Sequence, residues 1–455
     1  FEMQFLSGLN SGMKNFPTAT KNYGSKSAGK SATVIIGAGF GDEGKGLLTD
    51  FHAAPFGANC IVARFNGGAQ AGHTVVLPDG RGRHVFSHFG SGTLTGAATF
   101  LSKHFVSNPL LFSREKIELA KFGVATTGER TAVFADERGL VTTPYDMLAN
   151  QFVETARGAG KHGSCGIGFG ETIERSLNER FRIQICDLAD AAQLRTRLDD
   201  IRQNWTPARL NKLNVLKLNG EQMDLLASNK LRDDFIEAAG EFYEGIRLAR
   251  PEILTRGAKI VFEGAQGLLL DQDYGWFPHV TRSHTGLKNA VETALEAGIK
   301  QLDCVYATRA YATRHGAGPL PHELPDKPFA DIKDATNIAN PHQDRLRFGW
   351  LDLDSLGRAI RHDIERYSPR ANFKITKQLA ITCLDQLDAR TSFVRRGKLC
   401  EATADDFTIA AARAVNVNEV FLSRGQTRET ITKMTLSRNV IATKAKRVKE
   451  PVCQN

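Results

Sequence analysis

Short apolar runs, rich in β-branched residues and ending in glycine-rich polar loops, recur along the chain and predict its fold. Thr33 to Ile36, Cys60 to Phe65, Lys259 to Gly264, Asp303 to Tyr311, Ala380 to Leu384 and Val420 to Ser423 each read as a buried strand with polar residues at its C-terminal end. Between about 105 and 160 strand and helix signals mix. From about Leu188 to Leu254 apolar positions fall at helical spacing in a charged background, as in LRDDFIEAAGEFYEGIRLA, which predicts a mainly helical insertion. Strands apolar on both faces belong to parallel sheets, whose loops gather along one edge where doubly wound proteins bind ligands. The expected fold class is α/β, with a mostly parallel central sheet of the P-loop NTPase type. The expected division is a flexible extension over 1–30, a catalytic domain over 31–435 containing the insertion at about 188–254, and a basic tail over 436–455.

One junction carries most of the chemistry: TVIIGAGFGDEGKGLLT, Thr33–Thr49. The spacing Gly39-x-x-x-x-Gly44-Lys45 is that of a loop that cradles phosphate with backbone N–H groups between a strand and a helix, the helix beginning near Leu47. Two features are unusual. Gly46 stands where a Ser or Thr would hold Mg²⁺, and Asp42 puts an anion in the loop, which would repel phosphate unless a cation bridged them or the carboxylate worked as a base. The same residues fit the dinucleotide fingerprint Gly39-x-Gly41-x-x-Gly44, but the next strand ends in Arg64 and offers no acid for a ribose. A plain glycine turn is the third reading. A second glycine loop, NGGAQAGHTVV (Asn66–Val76), follows at once. His73, between Gly72 and Thr74, reads there as an exposed functional imidazole. Lys161–Gly170, KHGSCGIGFG, is a third such loop.

Composition narrows the class. The 455 residues are 41% hydrophobic and 24% charged, ordinary for a soluble globular protein. No apolar run approaches the roughly 20 residues of a membrane span, so no membrane association is expected. The net charge of +9 suits an anionic partner. The one dense basic cluster, Lys444 to Lys449, has no interleaved aromatics and reads as a solvated tail, so nucleic acid is not expected as a partner. Seven cysteines without C-x-x-C spacing argue for a reducing, cytoplasmic compartment and against a structural zinc site. The first 30 residues hold a single acid, Glu2, among glycine, serine and lysine.

GDEGKG (Gly41–Gly46) and GGAQAGHTVV (Gly67–Val76) resemble the adenylosuccinate synthetase family. The stretches FEGAQGLLLDQDYGWFPHVTRSHTG (Phe262–Gly286), YATRHGAGPLPHEL (Tyr311–Leu324), GWLD (Gly349–Asp352) and ITCLDQLD (Ile381–Asp388) extend the resemblance over about residues 33–435. It implies a homodimeric, Mg²⁺-dependent ligase of purine nucleotide biosynthesis. Such an enzyme joins IMP and L-aspartate at the expense of GTP, giving adenylosuccinate through a 6-phosphoryl intermediate. By the same resemblance Asp42 is the base that takes the N1 proton and, with the Gly72 carbonyl, a metal ligand. Gln266 holds the purine edge, His73 donates to the moving phosphoryl group, and Lys45 binds phosphate oxygens. Further nucleotide contacts are implied for Gly41, Glu43, Gly44, Gly46, Gln70, Ser164, Thr281, Arg314, Asp385, Ser423 and Gly425. Arg345 and Arg347, before Gly349-Trp350, would clamp the carboxylate of the amine, aspartate being favoured.

The departures from the family pattern concern substrate contacts. The family's Thr-Lys-x-Asp is Thr382-Cys383-Leu384-Asp385, without the lysine that covers the guanine, so ATP becomes a candidate donor. The amine loop has lost its two threonines and carries His342 and Asp344. In the third loop Ser164 or His162 stands in for a threonine and an arginine. Gln70 replaces an asparagine, and Arg175 and Arg180 are the nearest counterparts of a subunit-crossing arginine. Intact activation chemistry beside altered contacts leaves a second reading open, a divergent paralogue with another amine, another 6-oxopurine nucleotide or ATP.

Overall fold

The structure is a computed structural model, and it describes residues 31–125, 131–332, 346–367, 373–437 and 452–453. The expected extension over 1–30, the Lys444–Lys449 cluster and Arg345 lie outside the described residues. Among the described residues nineteen strands run in chain order. The first seven are β1 (Ser31–Gly37), β2 (Cys60–Arg64), β3 (His73–Val76), β4 (Arg83–Phe86), β5 (Ala98–Leu101), β6 (Val133–Ala135) and β7 (Arg247–Leu248). Then come β8 (Lys259–Gly267), β9 (Gln301–Arg309), β10 (Ala312–Arg314), β11 (Glu323–Leu324), β12 (Arg347–Gly349) and β13 (Leu351–Asp352). The last are β14 (Lys374–Thr382), β15 (Thr391–Arg395), β16 (Lys398–Ala402), β17 (Glu419–Ser423), β18 (Ile431–Thr435) and β19 (Val452–Cys453).

Ten of them form one sheet in the order β18-β17-β14-β9-β1-β8-β2-β5-β6-β7, parallel throughout except at the β17–β18 edge. This is the expected α/β class. The continuous apolar runs follow from helices on both faces. Val34 and Ile36 of β1 enter a core shared with the Leu287–Glu296, Leu353–Tyr367 and Ala404–Val415 helices. Ile35, between them, faces the other way onto Leu47 and Leu48 of helix α1 (Lys45–Ala53).

Residues 191–245 are mainly helical, from Ala191–Asp200 to Asn229–Gly245 with a non-helical stretch at 213–219, and their apolar positions Leu194, Leu198, Phe235 and Phe242 pack with Leu101 and Val133 of the sheet. The two-residue strand β7, Arg247–Leu248, breaks the helical pattern read from the sequence. It is too short to show an alternation and lies parallel to β6 at the sheet edge. The cysteines also depart from expectation. Cys60, Cys165, Cys186, Cys304 and Cys383 are free, but Cys400 is disulfide-bonded, a bond that the cysteine spacing did not announce.

One buried acid anchors the segment that follows β8. Asp363, on the Leu353–Tyr367 helix, accepts from the Leu287 N–H at the start of the next helix (2.9 Å) and from the Tyr306 hydroxyl (2.8 Å). The helix comes so close that a Cβ on Gly286 would stand 2.1 Å from the Asp363 carboxylate, so only glycine fits. Burial pushes the Asp363 carboxyl up to about 7, against the Leu287 and Tyr306 hydrogen bonds. A carboxyl whose folded-state value is raised stabilises the fold fully below its unfolded value, and that contribution is lost as pH rises through the folded one. Melting temperature should therefore fall between about pH 4 and 7 by more in the parent than in Asp363→Asn, which keeps an acceptor for Leu287 but cannot ionise. Parallel melting curves for the two proteins across that window would remove Asp363 as the cause.

Candidate functional site

The parallel strands place their C-terminal ends, and the loops that follow β1, β2, β8 and β9, around one open cleft of about 570 Å³. That volume is in the range of small-molecule sites. Gly41, Asp42, Gly44, Lys45 and Gly46 of the first loop line it, with Gln70, Gly72 and His73 of the second and Ser164 of the third. Gln266, Thr281 and Arg314 complete the set that the structure brings together. Asp385 is exposed just beyond β14. Ser423 and Gly425 follow the adjacent β17, where the Ser423 hydroxyl donates to the Gly425 carbonyl (2.9 Å). These three stand on the β14–β17 side of the first loop, apart from the cleft lining.

The first loop is held from within. Glu43, expected at the nucleotide, is buried beneath it, its Oε1 accepting from the Gly39 and Gly41 N–H groups (3.0 and 2.8 Å) and its Oε2 paired with Lys45 Nζ (2.5 Å). Gly44 caps α1 in the left-handed region at φ 80°. The odd Gly46 also finds its reason. A Cβ there would lie 3.0 Å from the His73 Cβ and from the Thr74 carbonyl, so β3 occupies the space that a Ser or Thr would fill.

Asp42 is strained, at φ 61°, and so is Gln266 at the end of β8. Left-handed backbone costs a non-glycine residue on the order of 1 kcal/mol and persists where surrounding contacts over-determine it. For Asp42 those contacts are Arg309, whose Nε donates to the Asp42 carbonyl, and His315, whose Nε2 lies 3.0 Å from Oδ2. Burial raises the Asp42 carboxyl, but the His315 hydrogen bond and the charges of Arg309, His315 and Lys45 outweigh it and hold it at about 2. The side chain is thus an anion, 30% exposed to the cleft. Among the described residues, both polar atoms of Gln70 and Oε1 of Gln266 are buried there without a hydrogen bond. Buried polar atoms without partners are rare, and here they face a cleft.

His73 is not the exposed imidazole expected, being only 6% exposed at the start of β3. Its Nδ1 meets Oε1 of the fully buried Glu263 at 2.8 Å, and Glu263 also accepts from Ser91 and lies 3.9 Å from Arg64 Nε. Burial lowers the His73 value and the Glu263 charge only partly restores it. The ring is therefore neutral, with Nδ1–H on Glu263 and Nε2 left for the cleft. In the third loop the Glu154 carboxylate takes the Gly163 and Ser164 N–H groups (2.9 and 3.3 Å), and Asn150 holds the Ser164 hydroxyl (2.9 Å).

The arginines behave less simply. Among the described residues Arg314 has no salt-bridge partner; it donates to the Pro319 and His279 carbonyls (2.8 and 2.9 Å) and stacks on Phe40 at 4.6 Å. Burial and the Arg347 charge lower it to about 10. The Arg347 fork, expected to clamp a substrate carboxylate, is taken up by Glu323 (2.7 and 2.5 Å) and by the Gly316 and Gly318 carbonyls (3.0 and 2.8 Å). Arg175 cannot cross a subunit boundary, because it is fully buried against Asp146. Sequence reasoning missed Arg309, Glu263 and His315. Glu263 and His315 lay inside FEGAQG and TRHG, but nothing in those strings says which side chains turn toward His73 and Asp42.

A family model described as adenylosuccinate synthetase matches residues 34–429. The chain belongs to the adenylosuccinate synthetase family. An adenylosuccinate synthetase of Clostridium botulinum (strain Loch Maree / Type A3) is 31% identical over 379 residues, 82% of this chain and 83% of that protein. The Koribacter versatilis (strain Ellin345) protein of the same name is 31% identical over 384 residues, 82% and 81% of the two chains. Among solved structures, fully ligated adenylosuccinate synthetase from Plasmodium falciparum shares the fold at a TM-score of 0.66 with 18% identity, covering 88% of this chain and 99% of its own. A cyanophage S-2L succinoaminodeoxyadenylate synthetase, bound to dGMP and to dATP as an energy donor, aligns at 0.53 with 15% identity, covering 91% and 99%. Adenylosuccinate synthetases use a metal ion. The donors in the cleft fit one: an ionised carboxylate is a hard oxygen ligand of the kind Mg²⁺ takes together with substrate phosphates. Among the described residues the one cluster of three potential ligands, Asp271, Asp273 and His284, is not part of the cleft lining.

The close seat of His73 on Gly46 gives a test. Gly46→Ser should not improve metal binding; it should push β3 outward and lower kcat by about tenfold or more, since small displacements of catalytic groups cost rate steeply. Unchanged turnover in steady-state assays of Gly46→Ser would show that the seat tolerates a side chain.

Proposed function

We propose that this chain joins IMP and L-aspartate with consumption of GTP, through a 6-phosphoryl intermediate, using the groups that meet at the β1, β2 and β8 loop edge. The observation that carries the reading is an ionised Asp42 beside the unpartnered Gln70 amide and the unpartnered Gln266 Oε1, in one cleft with the phosphate loop. The amides suit the polar edge of a purine. The Asp42 carboxylate takes the N1 proton as O6 attacks the γ-phosphorus and the bond to the β-phosphate oxygen breaks, releasing GDP. The aspartate amine then adds at C6 and phosphate leaves with O6 and the displaced proton. Lys45 lies at the start of α1, where its charge and the helix N–H groups favour phosphate. His73 donates to the phosphoryl group once it takes up a second proton, which the incoming phosphate charge favours. Asp42 and the Gly72 carbonyl would hold Mg²⁺, which when bound neutralises phosphoryl oxygens. Asp385, Ser423 and Gly425 would hold the donor base. A homodimer, cytoplasmic location and the division at residues 30 and 435 remain parts of this proposal. Phe277, 87% exposed at the rim, is a side chain that a second copy could cover.

A specific feature favours ATP as a second donor. Cys383, at φ 63° after β14, carries no stem to cover a guanine. A phosphate-release screen crossing GTP and ATP with IMP, dGMP and several amino acids tests both readings. Release that needs IMP and aspartate together supports the ligase, and a GTP preference of roughly 10⁴-fold in kcat/KM would mean that the missing lysine is compensated. Release that ignores the amine would overturn the ligase reading.

The Glu323–Arg347 pair bears on the amine. If Arg347 is to grip the aspartate carboxylate, Glu323 competes for it. Glu323→Gln should then lower KM for aspartate about two- to fivefold, the equivalent of a partly exposed ion pair. A raised KM would show that the pair only braces the Gly316–Gly318 turn.

A further inference from the structure

The Arg309–His315 segment grips Asp42 at both ends. Arg309, where β9 ends, donates to the Asp42 carbonyl, and His315, just past β10, meets Asp42 Oδ2 at 3.0 Å. The turn that carries His315 is itself braced. Arg347 holds the carbonyls of Gly316 and Gly318, and the Ala317 N–H donates to the His162 carbonyl (3.1 Å). The next glycine is pinned as tightly, since a Cβ on Gly316 would stand 2.9 Å from that same carbonyl. The imidazole, 22% exposed, lines the same cleft as Asp42. An ionised carboxylate can only accept hydrogen bonds, so the proton of this contact is on Nε2. The imidazole takes one lone pair of Oδ2, which leaves Oδ1 to face the purine and the second Oδ2 lone pair for a metal ion.

We propose that His315 is a positioning residue of the ligase reaction: its Nε2–H fixes the Asp42 side chain so that Oδ1 meets the N1 proton of the purine. The inference rests on the reading of Asp42 as the base. Its chemistry is steric and directional. A carboxylate on a short side chain that rotated freely would spend much of its time off the line of the N1–H bond, and misplacement on the 1 Å scale costs on the order of 10²-fold in rate. His315 takes no proton from the substrate and transfers none; it removes a rotation.

Four variants test it: His315→Ala and His315→Phe, which remove the donor, His315→Gln, which keeps an N–H, and Asp42→Asn. The first two should lower kcat by about 10²-fold while KM for the nucleotide stays within roughly threefold, and His315→Gln should recover at least about tenfold of the loss. Recovery by the amide is what a merely structural role would not give, and melting temperatures identify a variant that fails to fold, in which case the other donorless variant decides. Asp42→Asn should abolish turnover. If Asp42→Asn is inactive but both donorless variants turn over normally, or raise KM alone, the positioning role is overturned and the base remains. If Asp42→Asn is itself active, the base reading fails and takes this inference with it. Equal losses in His315→Gln and His315→Ala also overturn the proposal.

Discussion

A buried negative charge with nowhere to go holds the active edge together. Glu263 is fully buried in β8, and a carboxylate in that setting is tolerable only if cations and hydrogen-bond donors surround it. Arg64 from β2, the His73 ring from β3 and the Ser91 hydroxyl supply them. Arg64 is itself fully buried, stacked on Phe105 and donating to the Phe89 carbonyl, so neither charge can relax into water. Removing one partner of such a group strands the other. Four segments, at residues 64, 73, 91 and 263, are thereby fixed in one register, and the orientation of His73 toward the cleft is a by-product of satisfying Glu263.

The same economy of contacts explains the unusual phosphate loop. Glu43 fills the N–H groups of Gly39 and Gly41 from below, so the loop keeps its shape without help from an anion above. Asp42 then rises into the cleft, stabilised as an anion chiefly by His315 from the turn after β10 and Arg309 from β9, with a smaller contribution from Lys45 of the loop itself. In the third loop Glu154 repeats the device on Gly163 and Ser164. Carboxylates inside the fold thus shape both loops, and the exposed chemistry is left to residues at their tips.

The strands were readable because both faces of each are covered, which writes an unbroken apolar run into the sequence; Ile35 and Ile36 face opposite cores and are equally apolar. The short β7 was not, since two residues carry no period. Site residues were readable where a motif fixes backbone spacing, as for Asp42, Lys45 and Gln266, all found in the cleft. What could not be read is side-chain partnership across long sequence separation. Glu263 and His73 are 190 positions apart, so the burial of His73 had no local sign. Arg347 looked free because Glu323, its partner, is brought beside it only by the antiparallel pairing of β11 with β12. Gly46, an apparent defect in the phosphate loop, became intelligible only when β3 was seen lying against it.

The route by which the chain visits the far flank of the sheet has a consequence for how such a protein can diversify. After β6 the backbone leaves on the long excursion that contains the third loop and the helical region, then returns as β7 to lie parallel to the strand it left, the Ala249 N–H closing onto the Ala135 carbonyl (2.9 Å). Both ends of the excursion are therefore clamped in one ladder. Lengthening or rewriting what lies between changes the cost of closing that loop only logarithmically. Its helices stay tied to the sheet where Leu194, Leu198, Phe235 and Phe242 pack on Leu101 and Val133, and its exposed remainder is free to vary. Asn150, Glu154 and Ser164 ride on the excursion and reach the cleft. Substrate contacts can drift there while the β8, β1 and β9 ends, three, four and five positions along the sheet from β6, keep the phosphoryl-transfer groups in register.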